Sequence, residues 1–231
     1  MPDFSKRSRA DEIMDNFALD HQELDPVLKE LEVINKLLGG FSVFYNAFRK
    51  LGLKNGDSIC DWGCGGGDSL RVLDSYFKKR GEEMRLKGVD ATAAAVEFAR
   101  SRNSLYTNMD FIHADVLKHE FEEGEFDVVI SSLFTHHFDD ELWIKLIRKM
   151  VHASGKAVVI NDLHRHWFAY YSIALLTGVF SRSPMVKHDS KISVLRSFRR
   201  NELEDLIRRA GFSRFTIKWM WAFRWQVIIY K

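Results

Sequence analysis

From residue 57 onward, short apolar segments alternate with helical segments. The segments SICDW, MRLKGVD, MDFIHAD, FDVVISSLF and GKAVVINDL are predicted strands, while residues 68–79, TAAAVEFARSRN and DDELWIKLIRKMVHA are predicted helices. Strands that alternate with helices need crossover connections, so they pair in parallel. The strands are nearly continuous apolar runs, which is typical of a sheet that helices cover on both faces.

Two further predicted strands, RFTIKWMW and FRWQVIIY, follow a helix that ends at Gly211. Because only a short link joins them, they pair antiparallel or lie apart. We therefore predict an α/β fold: a doubly wound, mostly parallel, seven-stranded Rossmann-like sheet with an antiparallel C-terminal hairpin.

The N-terminal part of the chain holds two predicted helices, LDPVLKELEVINKLLGG and FSVFYNAFRKLGL. Asp25 is expected to cap the first helix, with Pro26 at its first helical position. Residues 1–56 are a predicted N-terminal helical cap on the Rossmann-like domain at 57–231. An aromatic-rich insertion at about 164–195 is a predicted substrate lid.

Composition excludes some classes of function. The net charge of +2 gives no sign of a nucleic-acid partner, and Cys60 and Cys64 fit reduced intracellular thiols. The first residues lack an apolar signal core, so a cytoplasmic location is expected. The run WFAYYSIALLTGVF is shorter than the roughly 20 residues that span a bilayer. It is interpreted as a buried or substrate-covering helix, with weak interfacial membrane contact as the alternative.

The segment DWGCGGG lies between the first strand and its helix, where glycines let backbone N–H groups approach a ligand. A dinucleotide turn needs glycine at its first, third and sixth positions. Counting from Gly63, the third position is Gly65, but the sixth is Asp68. The pattern present is Asp-x-Gly-x-Gly-x-Gly, which Asp61 opens and Gly67 closes.

Carboxylates follow the first three strands. A pyrophosphate is disfavoured beside Asp61 and Asp68, whereas a ligand with an amino group and a positive charge is favoured. Asp90 ends the next strand, where an acidic residue can accept both ribose hydroxyls. Asp115 ends the third strand and can accept from an adenine amine. These positions predict a pocket for a cationic or zwitterionic adenosyl compound.

The chain resembles the class I S-adenosylmethionine-dependent methyltransferases from about residue 57 to its C-terminus. The matching motifs are CDWGCGGG, GVDAT, HADV and FDVVISSLFTHHF, followed by the reversed last strand. Within that family the chain is most similar to small-molecule enzymes of quinone and polyketide pathways. The resemblance implies S-adenosyl-L-methionine as cofactor and S-adenosyl-L-homocysteine as product.

The resemblance also implies which residues contact the cofactor. They are Asp61, Gly63, Gly65 and Gly67 at the methionine portion, Asp90 and Ala91 at the ribose, Asp115 and Val116 at the adenine, and Ser131 with Ser132 beneath the methyl donor.

Histidines follow two strands at the edge where an acceptor is expected to bind. His136 and His137 come after the fourth strand, and His164 comes after the fifth, beside Asp162. A histidine is the natural base for a hydroxyl acceptor near neutral pH, and an Asp162–His164 pair is one way to orient it. Each of these histidines can instead cap a helix or bind a loop carbonyl. We assign no metal ligands, since the carboxylates are assigned to the cofactor.

The predicted function is methyl transfer to an oxygen of a small, aromatic or polyketide-like molecule. Base-amine methylation is disfavoured because SSLFTHHF has no Asn/Asp-Pro-Pro-aromatic pattern. The alternatives are transfer to carbon of a quinone-type substrate and a non-catalytic cofactor-binding subunit; Asp61 and Asp68 argue against an NAD-dependent dehydrogenase. The basic residues of this region are expected to attract a carboxylate or a carrier-protein-bound acyl substrate: Arg165, Arg182, Lys187, His188 and Arg196. The oligomeric state does not follow from the sequence.

Overall fold

The structure, a computed structural model, describes residues 2–231. Seven strands of these residues form one sheet. They are β1 (Ser58–Trp62), β2 (Arg85–Asp90), β3 (Met109–His113), β4 (Phe126–Ser132), β5 (Ser154–Leu163), β6 (Phe215–Met220) and β7 (Arg224–Tyr230).

The strand order is β3-β2-β1-β4-β5-β7-β6. Strands β1 to β5 pair in parallel, whereas β7 runs antiparallel to both β5 and β6. The predicted fold class is therefore confirmed. Strand order reverses between β1 and β4, and in open α/β sheets ligands bind at the carboxyl ends of the strands at such a point.

Eight α-helices within the described part of the chain connect and cover the strands. They are α1 (His21–Leu37), α2 (Ser42–Leu51), α3 (Asp68–Lys78), α4 (Ala93–Arg102), α5 (Asp140–Ala153), α6 (Trp167–Phe180), α7 (Pro184–Arg196) and α8 (Arg200–Arg209). A 3-10 turn, Ile13–Asp15, precedes α1, and another, Thr135–His137, follows β4.

Apolar clusters lie on both faces of the sheet. On one face, Phe44 of α2, Leu70 of α3 and Val96 of α4 pack against the strands. On the other face, Trp143 of α5 and Leu206 of α8 do the same. Each such side chain stabilises the fold by about 1.5–3 kcal/mol on burial. The continuous apolar strands thus have the two-sided burial that their sequence predicts.

Helix α1 begins earlier than its sequence predicts. Its N-cap is Asp20, whose side chain accepts from the N–H of Glu23, and Pro26 lies inside the helix. The predicted start at Asp25 and Pro26 was wrong because the capping box at Asp20 and Glu23 satisfies the first free N–H groups, and the helix tolerates the single bond that the proline removes.

Helix α6 has the predicted extent but is not buried. Among its apolar residues only Ala169 is buried, while Tyr171, Leu175 and Phe180 are half exposed or more. The buried alternative is therefore wrong, and a substrate-covering helix stays a prediction. Within residues 2–231, no helix is long and apolar enough to cross a membrane.

Candidate active site

The turn DWGCGGG joins β1 to α3 at the point where strand order reverses. The N–H groups of Gly63 and Cys64 both donate to the carbonyl of Val89 in β2, at 2.9 and 3.1 Å. The N–H of Gly67 donates to the carbonyl of Cys64, and Gly67 caps α3 with a φ of 71°. The turn is thus fixed to the neighbouring strand and presents the N-terminus of α3 to the crevice.

Gly63 is required by a close contact. Its φ is +73°, and a Cβ atom built there would lie 2.3 Å from the ring of Phe134. Above the same turn, Leu28 of α1 lies 3.4 Å from the corresponding position at Gly65. Phe134 and α1 therefore pack directly against the predicted cofactor turn.

Asp61 is a buried carboxylate with one unpartnered oxygen. It is 1% exposed, and its Oδ1 has no hydrogen-bond partner among the described residues. Burial, together with the nearby charges of Asp68 and Asp90, raises the pKa of Asp61 well above its ordinary value. An unpaired buried carboxylate costs free energy, so Asp61 is ready to bind a cationic or hydrogen-bond-donating group.

Asp90 links the turn to the following loop. Its Oδ2 accepts from the N–H of Gly65 and its Oδ1 from the N–H of Thr92, both at 2.9 Å. Burial raises its pKa despite these bonds. Each oxygen keeps a second lone pair, so the carboxylate can still accept hydroxyl groups. Ala91 follows at the same strand end, and its carbonyl lies 2.9 Å from Nε2 of His113.

Other predicted cofactor residues are held by their own neighbours. Asp115 lies in the loop after β3, accepts from the N–H of Leu117 and pairs with Lys118 at 3.1 Å. Val116 is buried in the apolar core. Ser131 is buried in β4 and donates to the carbonyl of Trp62 at 3.0 Å, so its hydroxyl ties β4 to β1.

The sequence patterns did not predict the buried arginine that lies at this edge of the sheet. Arg224 opens β7, is 1% exposed, and donates to Oδ1 of Asn161 at 3.4 Å. Burial lowers its pKa to about 10, although the charges of Asp162 and Asp68 oppose this change. Because β7 is antiparallel, its first residue lies where the parallel strands end. The predicted hairpin was the signal that could have placed it there.

His136 is buried and fixed by Asp162. Its Nδ1 lies 2.7 Å from Oδ1 of Asp162, and its backbone N–H donates to Oδ2 at 3.0 Å. Burial opposes protonation, but the charges of Asp162 and Glu12 outweigh it and raise the pKa of His136 to about 9. A histidine that holds a proton at neutral pH does not accept another, so His136 is poorly suited to act as a simple base.

His137 is partly exposed and lies beside His136, with ring centroids 4.5 Å apart. Its Nδ1 is 2.6 Å from Oδ1 of Asp15, and its Nε2 is 3.9 Å from Oε2 of Glu12. Phe134, which packs on Gly63, lies 6.2 Å from the His137 ring. The histidine pair is thus close to the glycine turn, and two acidic residues from the N-terminal segment meet it there.

His164 lies apart from this pair. The predicted Asp162–His164 pair does not form, because Asp162 binds His136 and Thr135 instead. His164 lines a cleft of about 380 Å³ with His166 and Trp225. Burial and neighbouring positive charges lower its pKa to about 4, so its imidazole is neutral at pH 7.

The arginines expected to attract a carboxylate already have partners. Arg165 is fully buried and forms a bidentate pair with Glu202. Arg196 pairs with Asp15 and donates to the carbonyl of His137 at 2.6 Å. Both guanidinium groups hold the loops around the site together, so most of their N–H donors are already bonded within the chain.

Residues 59–155 match the family described as Methyltransferase domain. This segment runs from the second residue of β1 through β4 and includes the glycine turn and both adjacent histidines. The match therefore covers the part of the sheet where the site lies.

Curated relatives also match the chain. Tocopherol O-methyltransferase of Arabidopsis thaliana is 30% identical over 47% of the chain, and (S)-coclaurine N-methyltransferase of Thalictrum flavum subsp. glaucum is 26% identical over 52%. The chain spans only 31% and 32% of these two proteins. The 2-phytyl-1,4-beta-naphthoquinone methyltransferase of Arabidopsis thaliana is 25% identical over 70% of the chain and 66% of its own length.

Solved structures share the fold across nearly the whole chain. The plantazolicin methyltransferase BpumL, solved with a triazolic analogue and SAH, has a TM-score of 0.68 at 18% identity, covering 91% of the chain and 90% of its own. A structure from Methanococcus maripaludis, described as a possible S-adenosyl-L-methionine-dependent methyltransferase, has a TM-score of 0.65 at 15% identity and covers 98% and 97%. Residues 59–155 are thus similar to the family described as Methyltransferase domain, and the fold is shared with solved structures that bear methyltransferase names.

Proposed function

We propose that the chain transfers the methyl group of S-adenosylmethionine to an oxygen of a small, aromatic or polyketide-like molecule. The observation that carries the cofactor assignment is Asp61, a buried carboxylate with an unpartnered oxygen beside a glycine turn. Supporting it are relatives that bear methyltransferase names with small-molecule substrates. The exposed apolar side chains of α6 also favour an apolar acceptor.

The residues present fit the cofactor's chemistry. The ammonium group of its methionine portion would meet the Asp61 carboxylate, which has an unsatisfied oxygen. Ribose hydroxyls would donate to Asp90, whose oxygens are already oriented by Gly65 and Thr92. When bound, the sulfonium supplies an electrophilic methyl group.

Chain residues then contribute mainly by positioning and by excluding water. Methyl transfer is a displacement in which the sulfonium loses its positive charge, so the enzyme has little new charge to stabilise. Much of the rate acceleration can therefore come from holding the acceptor atom in line with the methyl group and the sulfur. Phe134 packs on the glycine turn and lies next to His137, so its aromatic ring lies between the predicted cofactor turn and the histidine. We place the acceptor's hydroxyl at the partly exposed edge of His137.

Thermal-shift measurements test the cofactor directly. S-adenosylhomocysteine at 100 times its Kd is expected to stabilise the protein by about 2.7 kcal/mol, whereas NAD is expected to leave the melting temperature unchanged. Stabilisation by NAD alone would overturn the methyltransferase assignment. Stabilisation by S-adenosylhomocysteine without turnover of any aromatic acceptor would favour a non-catalytic cofactor-binding subunit.

Asp90→Ala is expected to weaken S-adenosylhomocysteine binding by about 10- to 100-fold, because it removes two ribose acceptors and frees the N–H of Gly65. Isothermal titration calorimetry measures this change. The matched control is Asp110→Ala at an exposed position of the neighbouring strand. Equal affinities for the two variants would remove Asp90 from the cofactor site.

Transfer to carbon of a quinone-type acceptor is the second candidate. The naphthoquinone methyltransferase is the observation that favours it, since the chain covers two thirds of that relative. The methyl group of the product, placed on oxygen or on a ring carbon, can be assigned by NMR. A product methylated only on carbon would overturn the proposed oxygen acceptor and leave the cofactor assignment intact.

A further inference from the structure

Glu12, His136 and His137 form a cluster of three potential metal ligands. One donor atom from each residue lies within 4.8 Å of the others. Nε2 of His136 is 3.4 Å from Oε1 of Glu12, and Nε2 of His137 is 3.9 Å from Oε2. The three side chains come from the N-terminal segment and from the loop after β4.

Two of the atoms in this cluster that could bind a metal ion have no hydrogen-bond partner among the described residues. Glu12 is 6% exposed and His136 is 2% exposed, yet neither Oε1 of Glu12 nor Nε2 of His136 has a hydrogen-bond partner among residues 2–231. Two donors bound tetrahedrally to one metal at about 2.0–2.1 Å lie about 3.4 Å apart. The spacing of these atoms is thus longer than a good hydrogen bond and close to that of atoms sharing a metal ion.

Carboxylates fix the orientation of both imidazole rings. Nδ1 of His136 is held by Asp162, and Nδ1 of His137 is held by Asp15. Because a carboxylate accepts, each Nδ1 carries a proton and each Nε2 faces the cluster. A metal ion bound there would displace the proton that Nε2 of His136 holds at neutral pH. Carboxylate–histidine pairs of this kind orient and strengthen metal-binding histidines.

The N-terminal segment is held in place independently of the cluster. The carboxylate of Asp189 in α7 accepts from the N–H groups of Ile13 and Met14, at 2.9 and 3.0 Å. These bonds position the turn that begins just after Glu12. Glu12, Asp15 and Asp162 also bring three negative charges to the cluster. Arg196 pairs with Asp15, and the charges of Arg7 and Arg224 act on Asp162, while Glu12 faces the two histidines.

We propose that Glu12, His136 and His137 bind a divalent transition-metal ion of the zinc type. Two imidazole nitrogens and one carboxylate oxygen suit zinc, and three protein ligands leave a position open for an exogenous ligand. His137 is the most exposed of the three ligands, so that position is reached from its side. Metal binding itself does not depend on the proposed function.

The role of the ion does rest on the proposed function. A hydroxyl bound to the open position loses its proton to solvent, because the metal lowers the hydroxyl's pKa. The resulting oxyanion forms the new O–CH₃ bond as the S–CH₃ bond breaks, and the sulfonium leaves as a neutral thioether. The ion would thus take the part that the sequence analysis assigns to a histidine base.

Metal binding is measured on the full chain after dialysis against a chelator. Co²⁺ titration should give a visible d–d absorption that saturates at one ion per chain, and Zn²⁺ should displace it. Glu12→Gln and His137→Gln should each weaken Co²⁺ binding by more than about ten-fold. Exposed Glu141→Gln and His152→Gln on α5 are the matched controls and should bind as the wild type does.

Circular dichroism and melting curves of every variant show whether it folds. The chelated wild-type chain provides a second comparison that needs no substitution. Absence of a saturable Co²⁺ signal in the wild-type chain, or equal affinity in Glu12→Gln and the controls, would overturn the metal site. Metal binding without any response to S-adenosylhomocysteine would instead overturn the cofactor assignment and leave the metal site standing.

Discussion

Asp61→Asn is expected to make the unliganded protein more stable and to weaken cofactor binding. The amide has nearly the same shape but no charge to bury, so unfolding should cost about 1–2 kcal/mol more. The same change removes a charge-assisted bond to the cofactor's ammonium group, which lowers affinity by about 10- to 100-fold. Melting curves and calorimetry with S-adenosylhomocysteine measure the two effects separately.

The stability of the protein and its affinity for the cofactor should change with pH in opposite directions. Burial raises the pKa of folded Asp61 above its ordinary value of 3.8. The folded state therefore holds a proton that the unfolded state releases, and stability falls as the pH rises from 3.8 toward the raised pKa. Cofactor affinity should rise over the same range, because the ammonium group favours the ionised carboxylate.

Both trends should be weaker in Asp61→Asn and unchanged in Asp205→Asn, an exposed substitution on α8. A wild-type protein whose cofactor affinity stays flat with pH would contradict the role assigned to Asp61. A variant that is destabilised rather than stabilised would show that the carboxylate has a partner in the folded protein.

Gly63→Ala is expected to destabilise the protein by about 2–5 kcal/mol and to abolish measurable cofactor binding. A left-handed backbone costs an alanine about 1–2 kcal/mol. The new methyl group also lies 2.3 Å from the Phe134 ring, which must move, and overpacking of this kind costs about 1–3 kcal/mol. Chemical denaturation gives the first effect and calorimetry the second.

Gly81→Ala is a matched control for the cost of placing an alanine in a left-handed backbone conformation. Gly81 has a φ of +74°, nearly that of Gly63, but a Cβ atom there meets nothing within 4 Å. This variant should lose only about 1–2 kcal/mol. In a Phe134→Ala background, Gly63→Ala should cost less, since the clash is gone. If Gly63→Ala and Gly81→Ala lower the free energy of unfolding equally, the contact with Phe134 does not contribute to the destabilisation.

Most of the fold follows from local patterns in the sequence. The continuous apolar runs predict buried parallel strands, and the short link between RFTIKWMW and FRWQVIIY predicts the hairpin, as the sheet confirms. The burial of helix α6 could not be predicted in the same way, because an apolar run of its length is compatible with either a buried or an exposed helix. Only its packing shows that most of its aromatic side chains reach solvent.

The glycine turn shows what a motif can and cannot determine. Asp61 and the glycines could be selected from the sequence, because the turn's conformation depends on residues close together in the chain. The contact of Phe134 with Gly63 could not, since it joins loops that follow different strands. Likewise, the partner of Asp162 was predicted to be His164 by proximity in sequence, yet the sheet places His136 against it.

The sequence by itself determined the sheet, the acidic glycine turn and the adjacent histidines, since hydrophobic periodicity and turn chemistry act over a few residues. Only the tertiary structure decided which groups meet. Glu12 reaches His136 and His137 because Asp189 anchors the N-terminal turn, and Arg224 lies at the carboxyl end of β5, beside Asn161, because β7 runs antiparallel. Such contacts depend on how distant segments pack, and no local pattern encodes them.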